Sequence, residues 1–393
     1  MKKSLLFAAV GVAMVSCSSN EEIYSPDVPK QAIAFSAGYV QKASSRAPLE
    51  EPKLPEDGSY FMYVTARYQR PKDNYGEKDY ESFFEGQTFK CESKDAGWSA
   101  GRYYPFDGKM QFLAYAYPNK DNMPDWQGKD FNTNEVVMLT PSVTAQWYYL
   151  DADKDGRKKN EIEKLELTVN NYDGNHDLVF SNLLNVACPP ATRQMMSFNH
   201  AFAWLQFYAD AEGFSGVIEI EKIEVVDINR RGGLLSITAG NPSTAEWIWR
   251  DDAKYPDAPM YEENLETVAV FPGRYNAHPL LLINQKGDPS LDHGMFGNLL
   301  ICPSENRTGI IVYYKIKNNT QSSSSKSYKT YINLDVFDDV HGEQGQWKMG
   351  NRYQYWLHFT PTAITYDTYV QEYSDDDFSG DLYIPGDNTT SPY

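Results

Sequence analysis

From residue 60 onward the apolar positions recur every second residue. Tyr60, Met62, Val64, Ala66 and Tyr68 share one face against Phe61, Tyr63, Thr65 and Arg67, and Met110, Phe112, Ala114 and Ala116 form a second such face. Leu165, Leu167 and Val169 alternate with Lys164, Glu166 and Thr168. The same period predicts strands over 202–209, 217–226, 267–271, 280–283, 310–316, 332–336 and 353–359. In the run from Ser197 to Phe207, Phe198 and Phe202 are expected to point inward, and His200 reads as a satisfied core or edge residue rather than a ligand. No helical period persists for three turns. Turn chemistry punctuates the runs at Asp107-Gly108, Asp173-Gly174, Gly232-Gly233, Pro272-Gly273 and 284–289. The pattern predicts an all-β chain built of sandwich layers, with mostly antiparallel pairing because such short connections cannot hold crossover helices.

The chain is too long for one core, and two domains are expected. Tandem prolines in Cys188-Pro189-Pro190 exclude a central strand, and a new alternating run starts at Ser197, so the division falls near Arg193, giving segments 47–193 and 194–393. The serine run 322–325 reads as a hairpin loop inside the second of these.

The amino terminus has a different character. Lys2 and Lys3 precede an apolar run from Leu5 to Val15, too short to span a bilayer as a helix, and Met14, Val15 and Ser16 before Cys17 resemble a lipobox. Residues 1–16 are therefore expected to be a lipoprotein signal peptide, with Cys17 the lipidated first residue. An ordinary secretory signal with a chance cysteine accounts less well for a cysteine at the cleavage position. The stretch to Lys30 is polar, holds two prolines and reads as a tether. Its acidic cluster at Glu21 and Glu22 resembles the tag that sends some Gram-negative lipoproteins to the outer face of the outer membrane.

A net charge of -18 argues against nucleic acid, which needs clustered Lys and Arg. With Cys17 lipidated, Cys91, Cys188 and Cys302 remain at wide spacings; they define no disulfide framework, and a single bridge among them stays open. The histidines form no H-x-x-x-H or H-x-H pair, so no zinc site is expected. Asp151, Asp153, Asp155 and Gly156 spell the start of a calcium loop, yet the twelfth position is Ile162 instead of Glu. Strand-like flanks and the following Arg157, Lys158 and Lys159 leave two readings, a calcium loop on a strand-loop-strand frame and a solvated hairpin tip. No nucleophile has an identifiable base, and acidic pairs such as Glu262-Glu263 are unavoidable in so acidic a chain, so neither an enzyme nor a cofactor is expected.

Several phrases carry a resemblance. Ser197-Phe198-Asn199-His200-Ala201-Phe202-Ala203-Trp204-Leu205-Gln206-Phe207 is similar to a segment that recurs in the fimbrillin family, the lipoprotein-derived pilins of type V pili. Ala32-Ile33-Ala34-Phe35 with Ser44-Ser45-Arg46-Ala47, Phe112 to Pro118, Asp177-Leu178, Val270-Phe271-Pro272 and Gly350 to Tyr355 agree in order. The chain departs at Tyr373, where relatives often have Trp, and at Phe271-Pro272-Gly273, where Pro-Gln is common.

The resemblance implies two tandem antiparallel, transthyretin-like β-sandwiches and a precursor whose first strand, here 32–40, fills a groove in the N-terminal domain. It implies cleavage after Arg46, before Ala47, by a trypsin-like protease, which removes a propeptide 17–46, and replacement of the lost strand by one from another subunit. An exposed Ser-Ser-Arg-Ala loop is also the kind of site that proteases nick. The candidate donor is the C-terminal tail, where Ile364, Tyr366, Thr368 and Val370 alternate on one face and Leu382 and Ile384 follow. The expected role is a structural subunit of a surface fimbria, a stalk more than a tip adhesin, first at the cell outer membrane and then in the fimbrium. Its expected partners are other fimbrial subunits. The competing class is a surface glycan-binding lipoprotein using Trp98, Trp126, Trp147, Trp247 and Trp249 as stacking platforms.

Overall fold

The structure is a computed structural model that describes residues 30–39, 54, 60–73, 76, 78–91, 93, 97–118, 126–129, 136–139, 142–152, 156–170, 177–213, 216–229, 232–248, 265–271, 280–283, 295–301, 303, 308–318, 325–334 and 347–372. Among these residues regular structure is entirely β. The first strands are β1 (Ala32–Tyr39), β2 (Tyr60–Gln69), β3 (Tyr80–Cys91), β4 (Trp98–Tyr103), β5 (Lys109–Pro118), β6 (Trp126–Lys129), β7 (Val136–Leu139) and β8 (Ser142–Tyr149). The middle of the chain holds β9 (Ile162–Asn170), β10 (Val179–Ser181), β11 (Leu184–Ala187), β12 (Gln194–His200), β13 (Ala203–Ala211), β14 (Val217–Asn229), β15 (Gly232–Thr238) and β16 (Thr244–Ile248). The last strands are β17 (Leu265–Phe271), β18 (Leu280–Ile283), β19 (Met295–Ile301), β20 (Thr308–Lys317), β21 (Ser325–Leu334), β22 (Asn351–Phe359) and β23 (Ile364–Glu372).

The largest sheet runs β10-β12-β1-β4-β3-β2-β5-β11, and β10 also pairs with β5 through Val179↔Ala116 and Phe180↔Tyr115. That last pairing closes β10, β12, β1, β4, β3, β2 and β5 into a ring. Its interior is the core formed by Ile33, Phe35, Met62, Val64, Phe89, Trp98, Phe112 and their neighbours. The chain passes position 193, where the sequence puts the division between two units, without leaving this ring, since β12 pairs with both β1 and β10.

From Phe112 to Tyr117 β5 is apolar at every position. Its even residues Met110, Phe112, Ala114 and Ala116 point into the ring, while Leu113, Tyr115 and Tyr117 point out into a second core. There they meet Leu165, Leu167 and Val169 of β9 and Leu235 and Ile237 of β15, from the sheet β16-β15-β9-β8. A strand buried on both faces cannot alternate, and this one reads as a continuous apolar run. A third core lies between β19-β13-β22-β23 and the sheet that holds β17, β14, β20 and β21. It includes Leu205, Phe207, Ile218, Ile220, Ile310, Val312, Tyr353 and Tyr355.

Pairing among the described strands is antiparallel except for β1 with β12 and β13 with β22. Gly232 and Gly233 are not the turn that their composition predicts: they open β15, facing Asn170 and Val169 of β9. Ser325, expected in a loop, is the first residue of β21 and pairs with Lys317, which keeps the predicted hairpin but shortens its loop. The remaining turn doublets Asp173-Gly174 and Pro272-Gly273 lie outside the described residues.

Candidate functional site

β1 is the element on which the sequence reading turns. Its odd residues alternate inward, with Ile33 and Phe35 fully buried, Ala37 1% exposed and Tyr39 7% exposed. The outward residues are all small, being Ala32, Ala34, Ser36 and Gly38. On one side the strand runs parallel to β12, from Phe35↔Gln194 to Tyr39↔Phe198. On the other it runs antiparallel to β4, pairing Ala32 with Tyr103, Ala34 with Ser99 and Phe35 with Trp98. β1 is therefore a central strand, and taking it away would leave two unpaired edges and a gap in the ring.

The gap would be lined by specific shapes. Phe35 sits between the rings of Phe89, at 5.5 Å, and Phe112, at 5.1 Å and edge-on. Burial of Ile33, Phe35 and Tyr39 contributes about 1.5–3 kcal/mol for each side chain. Gly97 has φ +68, and a Cβ there would come within 2.6 Å of the Phe35 carbonyl oxygen, so the approach of the β3–β4 connection to β1 requires glycine. Past the end of β4, the Ala37 carbonyl accepts a hydrogen bond from the Leu54 amide at 3.3 Å. At the start of the strand the Gln31 side chain donates to the Pro190 carbonyl at 2.8 Å.

Tyr39 ends β1 by stacking on His200, with ring centroids 4.6 Å apart. His200 bonds through Nδ1 to the buried carboxylate of Asp177, and Tyr60 donates its hydroxyl to the Asp177 backbone carbonyl at 3.4 Å. This is the satisfied core histidine that the sequence predicts. Phe198 and Phe202 are both buried as expected, but in different cores, because the chain leaves β12 at His200 and enters β13 at Ala203.

The C-terminal candidate forms β23, an edge strand. It pairs antiparallel with β22 from Phe359↔Ile364 to Asn351↔Glu372. Ile364 and Tyr366 are half-buried against the third core, and Thr368 continues their face. The Tyr366 hydroxyl donates to the Asn333 carbonyl of β21 at 2.9 Å, tying the edges of two sheets. Asp367 points the other way, 3.1 Å from His358 Nε2, while His358 Nδ1 lies 2.8 Å from the carboxylate of Asp210. Asp210 also accepts a hydrogen bond from Trp356 Nε1 at 3.1 Å, and Trp356 stacks on Tyr208 at 5.1 Å. The sequence reading gave this outer-face network no role. Its only signal was the polar alternation Gln354, Trp356, His358 opposite Tyr353, Tyr355, Leu357.

Cys17, Arg46, Ala47, Leu382 and Ile384 lie outside the described residues, as do Glu262, Glu263, Trp249 and Cys302. Val370 is in β23, opposite Tyr353. Cys91 and Cys188 are not joined in a disulfide; their thiols donate to the backbone carbonyls of Ser93, at 3.5 Å, and Val186, at 3.9 Å. Of the tryptophans offered as sugar platforms, Trp98 is fully buried and Trp247 is 9% exposed, with its Nε1 donating to the Ala201 carbonyl at 2.7 Å. Neither presents a face to solvent.

The acidic loop 151–156 lies on the hairpin of β8 and β9, as its flanks predict, with Asp153 and Asp155 outside the described residues. Glu161, one of the two acids that flank the twelfth position, is taken up by Arg157 Nε at 3.0 Å and the Lys158 amide at 2.7 Å. No cluster of three or more metal-binding side chains occurs among the described residues.

No family model matches the chain, and no curated protein matches it. Solved structures do. A "putative cell adhesion protein" from Parabacteroides distasonis is 12% identical, with a TM-score of 0.40, over 88% of this chain and 99% of that one. Another so named, from Bacteroides ovatus, is 11% identical, with a TM-score of 0.39, over 88% and 98%. A fimbrial protein from Bacteroides vulgatus is 13% identical, with a TM-score of 0.53, over 86% of this chain and 99% of that chain. The likeness is one of fold: this all-β chain is similar in architecture to a Bacteroides fimbrial protein over most of its length.

Proposed function

We propose that the chain is a non-enzymatic structural subunit of a cell-surface fimbria, a fimbrillin-like pilin exported as a lipoprotein. Residues 1–16 are the signal peptide, Cys17 carries the lipid at the outer membrane, and 17–46 is a propeptide. A trypsin-like protease cuts after Arg46, β1 leaves with the propeptide, and a strand from the C-terminal tail of another subunit fills the slot. The body is two tandem transthyretin-like sandwiches that the sequence divides near residue 193, with β12, just past that division, completing the ring of the first before the chain enters the second.

The observation that carries this reading is β1 itself. It is a central strand with buried inward side chains, paired with β12 on one side and β4 on the other, and it ends at Tyr39, seven positions before the proposed cut. A heterologous strand addition of this kind grows a filament, because each subunit both accepts and donates. The likeness in fold to a Bacteroides vulgatus fimbrial protein supports the class. N-terminal mass spectrometry of protein shed from the cell surface tests it: a new terminus at Ala47 is expected, and an acylated Cys17 as the sole terminus in assembled material would refute it.

A further inference from the structure

We propose that the outer face of β20 and β21, centred on Tyr331, is a binding site for the ring of an acidic sugar. The inference is independent of processing at Arg46 and of strand exchange. In these strands Ile310, Val312, Ile332 and Leu334 face the third core, so Gly309, Ile311, Tyr313, Lys329, Tyr331 and Asn333 lie on the opposite side of the sheet. Tyr331 is 58% exposed, more than any other large hydrophobic side chain among the described residues.

The ring of Tyr331 has a seat. A Cβ built on Gly309 would fall 2.4 Å from the Tyr331 hydroxyl oxygen, 2.5 Å from Cζ and 2.6 Å from Cε2, so the outer end of the ring rests on bare backbone. Gly309 is not in the left-handed region, and the strand conformation does not require glycine there; the ring does. Glycine weakens a strand interior and often marks a place where another group approaches closely. With its underside on the glycine, a ring exposed to this extent turns its other face to solvent. A pyranose stacks on such a face through its C–H groups, which removes apolar area from water while the sugar hydroxyls stay hydrated.

The charges beside the ring select the sugar. Across the same face Lys222 pairs with Glu224, Lys315 with Glu221 and Lys317 with Glu219. Glu224 is fully engaged, because its other oxygen accepts from the Tyr313 hydroxyl at 2.9 Å. Lys329 is exposed, two residues from Tyr331, and is bonded to no carboxylate among the described residues. Its Nζ stands 5.2 Å from the centroid of the Tyr313 ring, where Lys222 also stands at 5.3 Å. A positive charge is thus left over beside an open aromatic face, on a chain whose net charge is -18. An anionic ligand that the chain as a whole repels is drawn to this point. Asn333, exposed two residues to the other side of Tyr331, supplies an amide for sugar hydroxyls. An edge-strand lysine also discourages pairing with other chains, and a ring over glycine shields backbone. Neither role needs the two side by side on the solvent face.

The test titrates the full-length chain with four polymers by biolayer interferometry. Polygalacturonate and dextran sulfate carry sugar rings with carboxylate or sulfate, dextran carries neutral rings, and polyglutamate carries charge without rings. At least one acidic polysaccharide should bind ten times more tightly than both dextran and polyglutamate, and the tighter of the two identifies the anionic group. Tyr331→Ala and Lys329→Gln should each weaken that binding at least fivefold, and Tyr331→Phe should preserve it. Phe106→Ala, which removes a 45% exposed ring from another sheet's border, should leave it unchanged. The proposal is overturned if neither acidic polysaccharide binds, if dextran or polyglutamate binds as tightly, if either Tyr331→Ala or Lys329→Gln retains wild-type affinity, or if Phe106→Ala loses as much. Circular dichroism checks that each variant folds; should Tyr331→Ala fail to, Lys329→Gln decides the question.

Discussion

The ring of Tyr39 lies nearly parallel to that of His200, 14° between planes, and so ties the last residue of β1 to the Asp177 carboxylate beneath. Tyr39→Ala removes this ring from a buried site and should destabilise the precursor by about 3 kcal/mol, the range for loss of a buried aromatic side chain. Tyr39→Phe keeps the stack and should cost under about 1 kcal/mol. Urea denaturation of the two variants measures both.

Cleavage at Arg46 is the step on which assembly depends in our reading. Arg46→Ala should leave a monomer that retains residues 17–46, with filaments absent from electron micrographs of the cell surface. Normal filaments from this variant would rule out the processing route.

Gly108 has φ +80, and a Cβ built there meets the Gln69 carbonyl oxygen and the Tyr68 ring. Backbone cannot yield as a side-chain end can. Gly108→Ala should therefore cost about 1–3 kcal/mol, the usual range for a forced backbone conformation. Differential scanning calorimetry would register this as a lowered Tm.

Asp210 serves two donors on the outer face of the sheet, Trp356 and His358. Asp210→Ala leaves a buried indole N–H without its acceptor and should cost about 1–3 kcal/mol. Asp210→Asn retains an acceptor oxygen for Trp356 and should recover at least half of that loss. Chemical denaturation of the pair decides it.

Burial pushes the Cys188 thiol up from the usual 9.0 to about 12, with the nearby Asp107 carboxylate adding to the effect. The folded protein keeps a proton that the unfolded chain gives up above pH 9, so this group's contribution to stability is present below that pH and is lost as pH rises toward 12. The reactive thiolate is scarce at pH 8. Iodoacetamide at pH 8 should modify Cys188 slowly in the native protein and at once in urea, as read by peptide mass mapping.

The period-two alternation made the strands and their inward faces legible: Tyr60, Met62, Val64, Ala66 and Tyr68 are all buried, as are Leu165, Leu167 and Val169. The same rule failed where its physical premise does. β3 is interrupted by Gly86 at φ +58 and by bulges in its pairing with β2, so its period breaks. Gly232-Gly233 carries turn composition but lies against β9, where the neighbouring strand supplies what the glycines lack. Partner choice was the least legible feature. Nothing local in Gln194–His200 says that it lies parallel to a strand 159 positions earlier, because that pairing is set by the closure of the ring. The slot around β1 was therefore foreseen only through resemblance, and the burial of Ile33, Phe35, Ala37 and Tyr39 within it came from the structure.

The placement of β1 between two partners also sets how it responds to force. β4 holds its first half, Ala32 to Phe35, and β12 its second, Phe35 to Tyr39, so tension applied from the residues before Lys30 acts along the strand and loads both sets of bonds in shear. A strand held at one edge, pulled crosswise, unzips one bond at a time. In our reading, a precursor tethered by its amino terminus would meet drag at the cell surface in shear, the stiffer geometry, and a cut after Tyr39 would free the strand to slide out along its own axis.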